Sequence, residues 1–392
     1  MHSLRGIRIL TLAVNLPGPL AVARLRQLGA EITKIEPLGG DPLAYAKPDW
    51  YRELHDGVEV KRCDLKTPDG KAILWRLLRG ADVFIEGFRP GTIQRYGFDY
   101  AAVSAREPQI IYYAISGFGQ TGPMAARPAM DPVLQAMTGI VNENRGEHDL
   151  HPHRIAISLI DMFTGLLGLQ AIATSLYARR ELKHGRFIEA SLMQGGAMLS
   201  VIRLIANYLE RGTTQRTGMP SGVFNTADGQ LNVTMVRATD WVPYCEAIGH
   251  PELAGDPRFA EPKARGENIE TLFELVRPIF AGKPTAWLAE RLTERGIMNG
   301  KVNTYEEFLQ EAQVAATGII AWLDQPGVPE PVPMPNIPGL PPFETGTRRA
   351  HAPSLGEHSA EVLAEHGYSE AEIADLLERK VIGGPQLKVA AE

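Results

Sequence analysis

The stretch IRILTLAVNLPGPLAVARLRQLGAEITKIEP, residues 7–37, decides the fold class. IRILTLA (7–13) is a short, β-branched apolar run and reads as a buried strand. PLAVARLRQLG (19–29) repeats apolar residues at helical spacing and stops at a glycine, and EITKIEP (31–37) reads as a second strand. Strand, helix and strand make one βαβ unit, a crossover that joins parallel strands. Between the first strand and the helix, AVNLPGP (13–19) predicts a tight turn, with Gly18 and Pro19 at the helix opening.

The device repeats further along the chain. In KTPDGKAILWRLLRG, Thr67 can cap and Pro68 can open a helix that ends at Gly80. Strands ADVFIEGF (81–88) and QIIYYAIS (109–116) follow, so the pattern predicts a doubly wound parallel sheet. A long helix is expected over 154–180, a strand over 186–193, and a helix MLSVIRLIANYLERG ending at Gly212. TTQRTGMPSG reads as a linker, and VFNTADGQLNVTMV reads as a hairpin followed by amphipathic helices. The expected plan is an α/β large domain over 1–212, completed by 330–392, and a small α+β domain over 218–325. Linkers lie near 213–222 and within the proline-rich 324–353.

Composition excludes several classes. Forty basic and 46 acidic side chains give a net charge of −6 with no basic run, which argues against nucleic acid as a partner. Cys63 and Cys245 show neither metal-ligand spacing nor a disulfide framework, and a reducing, cytoplasmic location is expected. The N-terminal residues lack the pattern of an export signal, and GLLGLQAIATSLYA is interrupted by Gln170, so no membrane partner is expected.

Three motifs invite chemical readings. GFGQTG (117–122) satisfies G-x-G-x-x-G, but PMAARPAM follows it where a dinucleotide site needs a helix, so it reads as a sharp turn at a strand end. His151 and His153 lack a nearby Cys, Asp or Glu at metal-ligand spacing and read as surface residues; no metal is expected. Asp131 stands alone in RPAMDPVLQAMTG. It reads either as a first-turn helix acid preceding Pro132 or as a reactive carboxylate, and Asp161 shares the ambiguity.

The pieces LPGP, LGAEITKIEPLGGDP, DLKTPDGK, ADVFIEGFRPGTIQRYGFDY, ISGFGQTGP, RPAMDPVLQAMTG, TADGQL, CEAIGHPEL, VNTYEEFL and LGEHSAEVLAEHGYS occur in the order typical of class III CoA-transferases. The chain resembles that family, the formyl-CoA and carnitine CoA-transferase type, from about residue 4 to about 382, and shares the likeness with α-methylacyl-CoA racemase. The resemblance implies a Rossmann-like large domain, a smaller domain and an interlinked homodimer. It also implies an acyl-CoA thioester and a small carboxylic acid as substrates, with no tightly bound cofactor. Carried over by position, Val14, Asn15, Leu16, Arg62, Gly87, Phe88, Arg95 and Tyr96 line the coenzyme A site, and Asp131 falls on the nucleophile. Asp131 would form an acyl anhydride and then an aspartyl-CoA thioester, with oxyanion donors in turns 117–122 and 218–222. Racemisation requires two acid/base groups. Met130 stands where the racemases carry a histidine, and Asp161, aligned with that histidine's partner, reads as structural. A non-catalytic acyl-CoA-binding protein is a third reading. Arg24, Arg154 and Arg237 are candidates to pair with an acceptor carboxylate.

Overall fold

The structure, a computed structural model, describes residues 3–144, 152–212, 219–325, 328–347 and 353–385. His151, residues 213–218 of the expected linker and parts of 324–353 lie outside them. The chain divides into two compact units, Met1–Leu204 with Ile319–Glu392, and Ile205–Gly318. These borders fall several residues before the linkers that composition suggests.

In the first unit the strands are β1 (Arg8–Thr11), β2 (Glu31–Glu36), β3 (Glu59–Cys63), β4 (Val83–Glu86), β5 (Ile111–Ser116) and β6 (Arg186–Ser191). They pair in parallel in the order β3-β2-β1-β4-β5-β6, and Ile382–Gly383 adds an antiparallel edge beside β3. The order reverses between β1 and β4, and the crevice over the carboxyl ends of those two strands is where open α/β sheets bind ligands.

The helices of this unit are α1 (Pro17–Gln27), α2 (Pro42–Ala46), α3 (Pro48–His55), α4 (Pro68–Leu78), α5 (Thr92–Tyr96), α6 (Tyr100–Arg106), α7 (Asp131–Met137), α8 (Ile140–Glu143), α9 (Leu159–Leu182) and α10 (Leu192–Leu199), and α11 (Val201–Leu209) crosses the border to the second unit. On one face of the sheet Val22 and Leu25 of α1 and Ile172 and Leu176 of α9 bury Ile9, Ile32, Ile85 and Tyr113. On the other, Ile73 and Leu77 of α4 pack with Val362 and Ile373 over Leu10, Phe84 and Tyr112. Each such side chain contributes about 1.5–3 kcal/mol by leaving water. By length and composition α9 could cross a membrane. Its Gly165, however, lies so near α1 that a Cβ would sit 2.8 Å from a Leu20 methyl carbon, and the helix belongs to the sheet's covering layer.

The second unit holds a three-stranded antiparallel sheet of β7 (Gly222–Asn225), β8 (Gln230–Thr234) and β9 (Met298–Lys301), with the β7–β8 hairpin turning through Ala227–Asp228. Phe224, Leu231, Tyr244, Phe280 and Leu288 lie in its core. Within the proline-rich connector, Val332–Pro335 pairs antiparallel with Ile320–Leu323.

Local departures have identifiable causes. The long helix begins at Leu159 rather than Arg154, because Asp131 accepts the N–H groups of Ile160 and Asp161 and sets its first turn. β6 stops at Ser191, whose hydroxyl accepts the Gln194 N–H and caps α10. The helix expected through 198–212 breaks at Ser200 into α10 and α11. β3 carries the charged pair Lys61 and Arg62, which hides its strand character, yet Lys61 is fully buried.

Candidate active site

A cavity of about 140 Å³ opens at the carboxyl ends of β1, β4 and β5. It is lined by Ala13, Val14, Asn15 and Gly18 after β1, Gly87 after β4, Ser116 and Gly117 at the end of β5, and Ala129, Met130, Asp161 and Leu192. Gly117 permits the close approach of the 129–130 segment: a Cβ there would lie 2.1 Å from that of Ala129. A neighbouring cavity of about 450 Å³ shares Val14 and continues past Pro37, Leu38, Cys63, Lys66, Phe88 and Tyr96. A third, of about 460 Å³, opens by Arg8, Glu31 and Glu59 at the amino ends of the strands, away from the ligand-binding edge.

The two aspartates take opposite parts. Asp131 is 2% exposed, and one of its oxygens accepts the Ile160 and Asp161 N–H groups at 2.7 and 3.0 Å. Its other oxygen accepts from the Gln135 amide at 2.6 Å. Both oxygens are therefore engaged in holding the start of α9 against α7, and Asp131 does not line the cavity. Asp161, in the first turn of α9, does line it. Burial, and secondly the charge of Asp131, push its carboxyl up to about 7.

The chain as a whole has relatives among known proteins. The family model for CoA-transferase family III matches residues 4–359. The chain belongs to CoA-transferase family III. It is an acyl-CoA:carboxylate CoA-transferase. The succinyl-CoA–D-citramalate CoA-transferase of Chloroflexus aurantiacus is 30% identical over 97% of this chain and 98% of its own. The succinate–glutarate CoA-transferase of Agrobacterium fabrum is 33% identical over 92% of this chain and 95% of its own. A solved CAIB/BAIF family protein from Brucella suis superposes with a TM-score of 0.80 at 29% identity, over 92% of this chain and 98% of that one.

Other residues of this transferase fall into two groups. Val14, Asn15 and Gly87 line the cavity beside Asp161, and Val14, Phe88 and Tyr96 line its neighbour; Leu16 is buried behind the turn. Arg62 lies within β3, its guanidinium donates to the carbonyls of Leu38 and Gly384, and it lines neither cavity. Arg95 is exposed, bonds to Thr92 and likewise lines neither cavity. Two expected oxyanion donors are already used, since Gly119 N–H donates to Ser116 and Gln120 N–H to Glu189; Gly218 lies outside the described residues. Arg24 faces Glu53, Arg237 pairs with Asp240, and Arg154 is exposed. Sequence reading passed over Lys66, the basic side chain of the larger cavity, although it stands in the quoted DLKTPDGK. Cys63 lines that cavity too, but burial pushes its thiol up to about 12 and leaves it unreactive.

Proposed function

We propose that the transferase moves coenzyme A through a covalent intermediate on Asp161, not Asp131. The observation that carries this is the contrast between the two carboxylates: Asp161 faces the cavity, whereas each oxygen of Asp131 is committed to a hydrogen bond. Asp161 Oδ attacks the donor thioester carbonyl, and the C–S bond breaks to give a mixed anhydride and CoA thiolate. The thiolate attacks the aspartyl carbonyl, releasing the donor acid and leaving an aspartyl-CoA thioester. The acceptor carboxylate attacks that thioester, and the thiolate then takes the acceptor's acyl carbon and frees Asp161. No proton is abstracted from carbon, which agrees with Met130 beside Asp161, where racemisation would need a base.

Coenzyme A lies along the Rossmann-like sheet edge in this reading. Its nucleotide occupies the larger cavity near Phe88, Tyr96 and Lys66, and its thioester reaches past Val14 to Asp161. Lys66 supplies a cation for the phosphates, with Arg95 at the outer rim. The Gly18 N–H, between Pro17 and Pro19 in the first turn of α1, is the candidate donor to the forming oxyanion, since Gly18 lines the cavity. The relatives named for succinate, glutarate and citramalate support a dicarboxylic acid as one of the two acids. Hydroxylamine trapping during incubation with succinyl-CoA tests the assignment. The tryptic peptide 155–179 contains one acidic side chain, Asp161, so modification there and not on the Asp131 peptide is the expected outcome.

The working form is an interlinked homodimer. Helix α11 has no buried residue, and Ile202, Tyr208 and Leu209 on it are at least 72% exposed, an apolar surface that calls for a partner. Light scattering at micromolar concentration should give a dimer, and two differently tagged dimers should not exchange chains without unfolding; a stable monomer would remove the proposal.

A further inference from the structure

Beneath the turn that follows β1 lies a cluster of buried ionisable groups that takes no part in the covalent steps, although Glu36 also borders the cavity assigned to the nucleotide. Lys34 and Glu36 of β2, Asp41 at the start of α2 and His55 at the end of α3 are each at most 1% exposed. The Lys34 ammonium stands 2.5 Å from Asp41 Oδ2, 2.6 Å from His55 Nε2 and 3.2 Å from Glu36 Oε1. Glu36 Oε1 also accepts from the Tyr51 hydroxyl at 3.0 Å. His55 accepts from Lys34 at Nε2, so its proton is on Nδ1, which donates to the Tyr51 carbonyl. Burial and the Lys34 charge hold this imidazole well below its ordinary pKa, hence neutral. Ligating atoms of Glu36, Asp41 and His55 lie within 4.8 Å of one another, a spacing that would suit a metal ion. Lys34 already supplies the cation among them.

A buried ion pair gains little stability over apolar packing, so its use lies in the geometry it fixes. Asp41 divides its carboxylate. Oδ2 takes Lys34, while Oδ1 accepts the Leu43 N–H at 2.9 Å and the Asn15 N–H at 3.3 Å. Asn15 has φ of 66°, a left-handed conformation that costs a non-glycine residue energy unless its surroundings hold it. Asn15 and its neighbour Val14 line the cavity beside Asp161.

From this geometry we infer that Asp41 is a positioning residue for CoA transfer, holding Asn15 in its left-handed conformation and so fixing the part of the cavity wall that Asn15 and Val14 form. The inference rests on the reading of that cavity as the active site. Its test is a double-mutant cycle of Asp41→Ala and Asn15→Gly, read as kcat/KM for succinyl-CoA. Asp41→Ala should lower kcat/KM about 10-fold or more in the wild-type background but only about 2–3-fold in the Asn15→Gly background, where glycine adopts the conformation unaided. The thermal midpoint should fall equally in both backgrounds. Equal fold-losses of activity in the two backgrounds would overturn the inference and leave Asp41 a stability element alone. Because Asp41→Ala can fold poorly, Asp41→Asn serves as the second variant. Its amide oxygen keeps both N–H bonds but removes one of the two carboxylates that face Lys34, leaving Glu36, so the midpoint should fall while kcat/KM, measured well below it, stays within about 3-fold. An activity loss as large as that of Asp41→Ala would also overturn the inference. Trapping the acyl adduct in each variant separates this result from the site reading. An adduct away from Asp161 refutes the nucleophile and leaves the cycle to be judged by equilibrium binding of coenzyme A.

Discussion

Asp161→Asn is expected to abolish CoA transfer, by about three orders of magnitude or more in kcat, with coenzyme A affinity nearly unchanged. An amide cannot form the anhydride, and no neighbouring carboxylate replaces it, because both oxygens of Asp131 point at α9 and Gln135. The pH dependence follows from the same group. With its carboxyl pushed up to about 7, wild-type Asp161 is protonated and inert below that pH, so kcat/KM should rise through an apparent pKa near 7. Stability runs the other way. A carboxyl whose folded pKa exceeds its unfolded value favours the fold when protonated, and that contribution is lost as pH rises from 4 toward 7. Asp161→Asn should therefore stabilise the protein at pH 8 by on the order of 1–2 kcal/mol, allowing for solvent screening, and by almost nothing near pH 4. Denaturant melts at the two pH values check the sign. Retained turnover in the variant would overturn the nucleophile assignment.

Asp131→Ala should lose stability and keep the chemistry. Truncation leaves the N–H groups of Ile160 and Asp161 without their acceptor at a buried helix start, at a cost of about 2–4 kcal/mol. Gln135 retains the carbonyls of Ile155 and Ile157, which limits the damage to the first turn of α9. Removing the Asp131 charge also removes the second cause of the raised Asp161 pKa, so the acidic limb of kcat/KM should move below 7. Asp131→Asn should show the same pH shift with a smaller stability loss. The measurements are urea midpoints, pH profiles and hydroxylamine trapping. An adduct that vanishes in folded Asp131→Asn while Asp161→Asn still forms one would restore Asp131 as the nucleophile.

The sheet and the family are legible from residue order alone. Alternating apolar strands and amphipathic helices are local patterns, so residues 7–37 announce a parallel βαβ unit before any contact is known, and the ordered motifs lead to CoA-transferase family III. The crevice was also legible, since Gly18, Gly87 and Gly117 stand at strand ends, where backbone must turn sharply. Which aspartate faces that crevice was decided only by tertiary structure. Asp131 and Asp161 both occupy the first turn of a helix among apolar neighbours, and nothing local distinguishes them. What separates them is a hydrogen bond between segments 30 residues apart, which ties the first acid to the backbone of the second. The same holds for Arg62, whose guanidinium meets the carbonyl of Gly384, and for Lys34, whose cage gathers residues from β2, α2 and α3. Periodicity reports which face of an element is buried. The partner that a buried polar group finds there depends on which distant backbone or side chain packs against it, and that is fixed only when the layers close.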